Sequence, residues 1–156
     1  DIVYYQKYVF VDNLRSLEST VFYPNSMIHH YLHMAQNNYR EYLQGSEVRI
    51  KKYFYVLRPI LACKWIEKYN RTPPISFHEL LANIIPEGEL KNAVEHLLKR
   101  KLIGDELDIE PRIDVINDFV ENEMERLEEY VRSLRVEVKD PTKILDDLFR
   151  NTLQEV

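Results

Sequence analysis

Val48-Arg-Ile-Lys-Lys-Tyr-Phe-Tyr-Val-Leu-Arg-Pro-Ile-Leu-Ala-Cys-Lys-Trp-Ile-Glu67 decides the fold of this chain. At roughly 100° per residue, Ile50, Phe54, Leu57 and Leu61 gather on one face of a helix. Lys51, Tyr55, Arg58, Ala62 and Trp65 fall within about 40° of a second line. A helix with so little polar surface must be largely buried. The cations on its remaining stripe then need counter-charges, either structural carboxylates or an anionic ligand such as a nucleotide phosphate. Spacing leaves both open. Lys52, about 100° from the stripe, is expected to reach solvent.

Outward from this helix the pattern stays helical. Pro24 can open a long helix through Leu43, with Gly45 as its stop, and a shorter helix over about Asp12–Phe22 precedes it. The Val48 helix is expected to end near Tyr69 and to kink at Pro59, which removes a backbone donor. Asn70-Arg-Thr-Pro-Pro74 breaks it, and Ser76-Phe-His-Glu79 has capping-box spacing for a helix through Ile84. Another helix is expected over about Glu87–Leu102, closed by Gly104. Pro111 opens a long one whose apolar residues, Ile113, Ile116, Val120, Met124, Leu127, Val131 and Leu134, form a narrow seam. Asp140-Pro141 starts a last helix through Leu153. Only Asp1–Phe10, rich in Val, Tyr and Phe, reads as a strand. The expected architecture is mainly α: a multi-helix bundle with one short N-terminal strand. It forms a single helical domain over 1–156, in which residues 1–70 supply core helices and 71–156 an acidic remainder.

Three glycines against eleven tyrosines, with 45% hydrophobic residues, exclude a disordered chain. The one cysteine, Cys63, lies inside the apolar helix and reads as a core residue of a cytoplasmic protein. No apolar run approaches the roughly 20 residues of a membrane span, so no membrane partner is expected. The chain begins at Asp1 without methionine, which reads as the C-terminal part of a longer protein. Its net charge of −5 divides unevenly. Residues 1–78 carry ten Lys/Arg and six Asp/Glu, residues 79–156 eleven and twenty. That balance argues against a binder of nucleic acid over its whole surface and allows a local anion site in the first half.

On the Pro24 helix, His30 with Asn37, Asn38 and Glu41 makes a polar line of helical spacing. It reads as a hydrogen-bond network between helices or as part of a ligand pocket. His29 and His33 stand one turn apart but lack the further clustered ligands a zinc site needs.

Several ordered blocks resemble one family. They are His30-Tyr-Leu with Met34-Ala35, Asn38-Tyr-Arg-Glu-Tyr-Leu43, Lys51-Lys-Tyr-Phe-Tyr-Val-Leu-Arg-Pro59, Leu61-Ala-Cys with Trp65-Ile66, and Pro73-Pro74 with Phe77. Over about Asp1–Leu81 the chain resembles the YcgL-like predicted nucleotidyltransferases of the DNA polymerase-β superfamily, and looks like their helical part. The resemblance implies Mg²⁺-dependent transfer of a nucleoside monophosphate from an NTP to an acceptor, whether RNA, protein or small molecule, with some relatives linked to RNA repair. It places Lys51, Tyr55 and Arg58, with His30 and Asn38 beside them, in contact with the nucleotide or acceptor. The superfamily's Gly-Ser turn followed by Asp-x-Asp is absent: Gly45-Ser46 ends a helix, and Asp108-Ile-Glu110 reads as a structural turn. No catalytic residue and no metal ligand is therefore assigned within this chain. The competing expectation is a non-catalytic interaction module that forms a homodimer through the Ile113–Leu134 seam. A helical ribonuclease of the HEPN type is disfavoured, because Pro73 and Pro74 keep Arg71 and His78 off one helix.

Overall fold

A computed structural model describes residues 9–104, 109–134 and 140–154. Seven helices and one two-stranded antiparallel sheet are present among them. The chain is mainly α-helical, as expected. Its contacts divide it into two units: residues 24–134, and residues 1–23 with 135–156.

The 24–134 unit is built around the quoted stretch. Helix α2 (Pro24–Tyr42) leads through Gly45 into strand β1 (Glu47–Arg49), and helix α3 (Ile50–Tyr69) follows at once. Val48 therefore belongs to a strand and not to the helix. Strand β1 pairs with β2 (Ile109–Pro111), with Val48 opposite Glu110. A single helix wheel could not show this pairing, since its partner lies some sixty residues away. Glu110 forms an ion pair with Arg100 rather than a loose turn, and Asp108 lies outside the described residues.

Helix α3 is the centre of the unit. Ile50, Tyr53, Phe54, Val56, Leu57, Ile60, Leu61, Cys63, Trp65 and Ile66 are all buried, and the helix runs on through Pro59. Burying such side chains stabilises the fold by about 1.5–3 kcal/mol each. Asn70 stops the helix in the left-handed region (φ 48°), donating its N–H to the Ile66 carbonyl. Helix α2 packs along α3, and α4 (Phe77–Ile84), α5 (Glu89–Ile103) and α6 (Asp114–Ser133) surround it. The Ser76 hydroxyl accepts from the Glu79 N–H (3.3 Å), which is half of the predicted capping box. Gly104 closes α5 with φ 92°, a conformation only glycine adopts easily.

The seam of α6 is spent inside this unit. Ile116, Val120, Met124, Leu127 and Val131 are buried, and α6 packs against α2, α3 and α5. The apolar stripe that motivated a dimer is thus covered by the chain itself. Helix α6 begins at Asp114, because Pro111 is taken up by β2.

Among the described residues, one amide side chain is fully buried. Asn117, on α6, donates to the Leu43 carbonyl at the end of α2 (3.1 Å) and accepts from the Tyr53 hydroxyl on α3 (3.0 Å). The Tyr53 hydroxyl accepts in turn from the Ile113 N–H (2.7 Å), and burial raises its pKa. Each polar atom of the set is thereby satisfied.

In the second unit, α1 (Phe10–Val21) lies against α7 (Thr142–Gln154). The Asp140 carboxylate accepts from the Thr142 N–H (3.0 Å), capping α7 as its Asp-Pro start predicts. Neither helix buries a residue. The strand expected over Asp1–Phe10 lies outside the described residues except for its end, where Phe10 already begins α1.

Two outcomes follow from this packing. Asn117→Ala removes the donor to the Leu43 carbonyl and leaves the Tyr53 hydroxyl proton without its acceptor, so urea denaturation should show a loss of about 1–3 kcal/mol. Cys63 donates its Sγ–H to the Ile28 carbonyl, and burial pushes its pKa up to about 12 from 9.0. The thiolate fraction near pH 8 then falls roughly a thousandfold, and alkylation by iodoacetamide should be slow until the chain is unfolded. Because the folded state holds this proton more tightly, its contribution is complete below about pH 9 and is lost as pH rises toward 12.

Candidate functional site

The start of α3 presents the candidate site, and three anchors hold it in place. Tyr53 is tied to Asn117, Ile113 N–H donates to Tyr53, and β1 is paired to β2 immediately before Ile50. The first two turns of α3 keep an exposed flank between these anchors.

Tyr55 stands on that flank, 48% exposed. Lys52 does not run out to solvent as the wheel predicts. Its ammonium lies 3.3 Å from the centre of the Tyr42 ring and 4.9 Å from that of Tyr55. The two tyrosine rings meet edge to face at 6.5 Å. This arrangement needs α2 and α3 side by side, so Tyr42, the last residue of α2, was not legible as a site residue from α3 alone. A tyrosine ending the preceding helix was the available signal.

Lys51 occupies the first turn, half-buried. Arg58 donates through Nη2 to the Ile75 carbonyl (2.5 Å) and so pins the loop between α3 and α4. Trp65 leaves the stripe altogether: it is 3% exposed, packs on Tyr69 at 4.4 Å, and lies under the Arg71 guanidinium. Its indole N–H is buried without a hydrogen-bond partner.

The two residues expected from α2 are less engaged. His30 is exposed on the outer face, its ring beside Tyr31. Asn38 donates to the Met34 carbonyl one turn back (2.8 Å). Asn37 contacts His33 on the same helix. Asn37 and Asn38 of the polar line are thus bonded within α2, and among the described residues no hydrogen bond carries the line to another helix. Helix α2 reaches α6 elsewhere, through Gln36 to Glu128 (2.5 Å) and Tyr39 to Glu121. Among the described residues, no hydrogen bond or ring contact joins any two of Lys51, Tyr55, Arg58, His30 and Asn38.

The acidic half does neutralise α3, but on another face. Lys64 pairs with Glu123 (2.5 Å), and Arg126 grips Glu67 with two bonds of 2.7 Å while also reaching Glu123 (2.9 Å). The bonds to Glu67, followed by Glu123, hold the Arg126 guanidinium far above its ordinary pKa. Among the described residues, Lys51, Lys52 and Arg58 have no carboxylate partner. The counter-charge question therefore has two answers on one helix: carboxylates at its far end, and none at its start. What the arrangement offers is a positive, tyrosine-lined surface suited to phosphate and a flat aromatic or ribose group.

No three His, Cys, Asp or Glu among the described residues cluster in a way that could hold a metal ion. None of their helices is long and apolar enough to cross a membrane.

Comparison with known proteins places the chain. A family model described as the RNA repair pathway DNA polymerase beta family matches residues 1–151. The chain is 51% identical over all its 156 residues to the uncharacterized protein YcgL of Bacillus subtilis (strain 168), and it spans 60% of that relative's length. No solved structure matches it. With its ordered blocks carried on α2, α3 and the loop that follows, this YcgL-like chain belongs to the RNA repair pathway DNA polymerase beta family.

Proposed function

We propose that this chain is the helical substrate-binding part of a nucleotidyltransferase. In the reaction so assigned, the acceptor hydroxyl bonds to the α-phosphorus of an NTP, pyrophosphate leaves, and the hydroxyl proton passes to a base. The observation that carries the reading is the start of α3. There Lys52 rests on Tyr42 and Tyr55, next to Lys51 and Arg58, and no carboxylate neutralises them among the described residues. Membership of a polymerase-β family supports it.

Magnitudes favour an exchangeable Lys52. Its contact with the tyrosine rings is worth about 0.5–1 kcal/mol at an exposed site. A charge-assisted bond to phosphate is worth about 1.5–3 kcal/mol, so an entering phosphate can draw the ammonium off the rings at a net gain. The freed Tyr55 face can then carry the base or ribose. Arg58 is the second phosphate ligand, reached by giving up a neutral carbonyl. Lys51 adds charge, and His30 and Asn38 remain outlying contacts for the acceptor.

Mg²⁺ belongs to the chemistry the family implies, but the donors of this chain do not fit a two-metal site. The sequence has no Asp-x-Asp, and the described residues bring no carboxylate cluster together. No catalytic step is assigned to its residues. The chain alone should bind nucleotide without transferring it.

Anisotropy of a fluorescent NTP tests the reading. Replacing Lys52 by Met or Arg58 by Ala should weaken binding about tenfold each. The circular dichroism spectrum should stay unchanged. Unchanged affinity in folded variants would refute it, as would transfer of labelled nucleotide by the isolated chain in Mg²⁺.

A further inference from the structure

Helices α1 and α7 bury no residue, in contrast to every helix of the 24–134 unit. Helices of 12 and 13 residues are marginal in water by themselves and are held by packing one face. Helix α7 divides cleanly around its circumference. At about 100° per residue, Asp146, Asp147, Arg150 and Asn151 share one side. Leu145, Leu148, Phe149, Thr152 and Leu153 spread over about 140° of the other.

That apolar arc is only partly used. Leu148 and Thr152 are half-buried. Leu145, Phe149 and Leu153 lie on the far side of the arc and are exposed, the last two by 61% and 60%. They recur at every fourth residue and make an unbroken apolar strip about 12 Å long. Helix α1 lies against α7, and its packing leaves this strip in water. A continuous exposed apolar strip bordered by charge marks a surface that another element covers.

What covers it must be apolar and close at hand. The chain spans 60% of the length of its YcgL relative, so two-fifths of that polypeptide lies outside the match. Residues 1–23 and 135–156 form one unit. Sequence joined to either end of these residues therefore leaves from the unit that carries the strip. A segment tethered there has an effective concentration on the order of millimolar, well above that of a second copy free in solution.

We propose that Leu145, Phe149 and Leu153 seat an apolar face of the further polypeptide that a family member of YcgL's length carries, so that α7 is a docking helix of the full-length protein. The inference is independent of what the start of α3 binds.

Hydrogen exchange read by mass spectrometry compares the 156-residue chain with the full-length gene product. The amides of α7 should exchange about tenfold or more slowly in the longer form. There, Phe149→Asp should return α7 to the rate of the shorter chain and leave the 24–134 unit protected. Phe149→Ala, which adds no charge, should act in the same direction to a smaller extent. Asn151→Asp, on the polar side, adds the same charge near the same helix end and should leave the protection in place. The proposal is overturned if α7 exchanges alike in both forms, if Phe149→Asp and Asn151→Asp behave alike, or if the gene product is no longer than this chain. It is overturned too if the 156-residue chain protects α7 as its concentration rises and light scattering gives a dimer, because a second copy then fills the strip.

Discussion

The buried set of Asn117, Tyr53, the Leu43 carbonyl and the Ile113 N–H is the constraint on which this unit depends. A polar side chain withdrawn fully from water is tolerated only if its donors and acceptors are met. Here they are met by the end of α2, the start of α3 and the start of α6 at once. Apolar burial alone would accept small rotations and slides among these helices. The hydrogen bonds accept few, so the three helix ends share one geometry. The start of α3, where the candidate site lies, is consequently placed by a residue more than fifty positions downstream.

That placement separates two uses of positive charge on one helix. Toward its far end, Lys64 and Glu67 are joined to Glu123 and Arg126 of α6. These partly exposed pairs add modestly to stability and chiefly fix how α6 lies along α3. At its beginning, α6 supplies no such partner to Lys51, Lys52 or Arg58, and the cations settle on weaker neighbours, aromatic rings and a backbone carbonyl. Weak neighbours are readily exchanged. A surface that must release its own contacts to take a ligand is better built from them than from ion pairs.

Much of the fold was legible in advance. The seam of α6, the Ser76 cap, the stop at Gly104 and the Asp140 start of α7 are local signals, set by helical period and by the needs of unpaired backbone groups within one turn. The β1–β2 pairing was not legible, because neither three-residue segment shows alternation long enough to mark a strand, and each is completed only by the other. The site was half legible. Lys51, Tyr55 and Arg58 stand out from the wheel of one helix, whereas Tyr42 and the true position of Lys52 depend on neighbours that a wheel does not contain.

By itself, then, the sequence determined the helical class, the apolar faces, most of the helix ends and, through its ordered blocks, the family. These properties arise from interactions within a few residues or from patterns that survive as text. Tertiary structure alone decided which cations are neutralised. It withdrew Trp65 into the interior, turned Arg58 onto the Ile75 carbonyl, spent the α6 seam inside the chain, and laid Lys52 and Lys101 across aromatic rings. The reason is physical: a charge takes its meaning from what stands within a few ångströms of it, and those neighbours are brought there by packing.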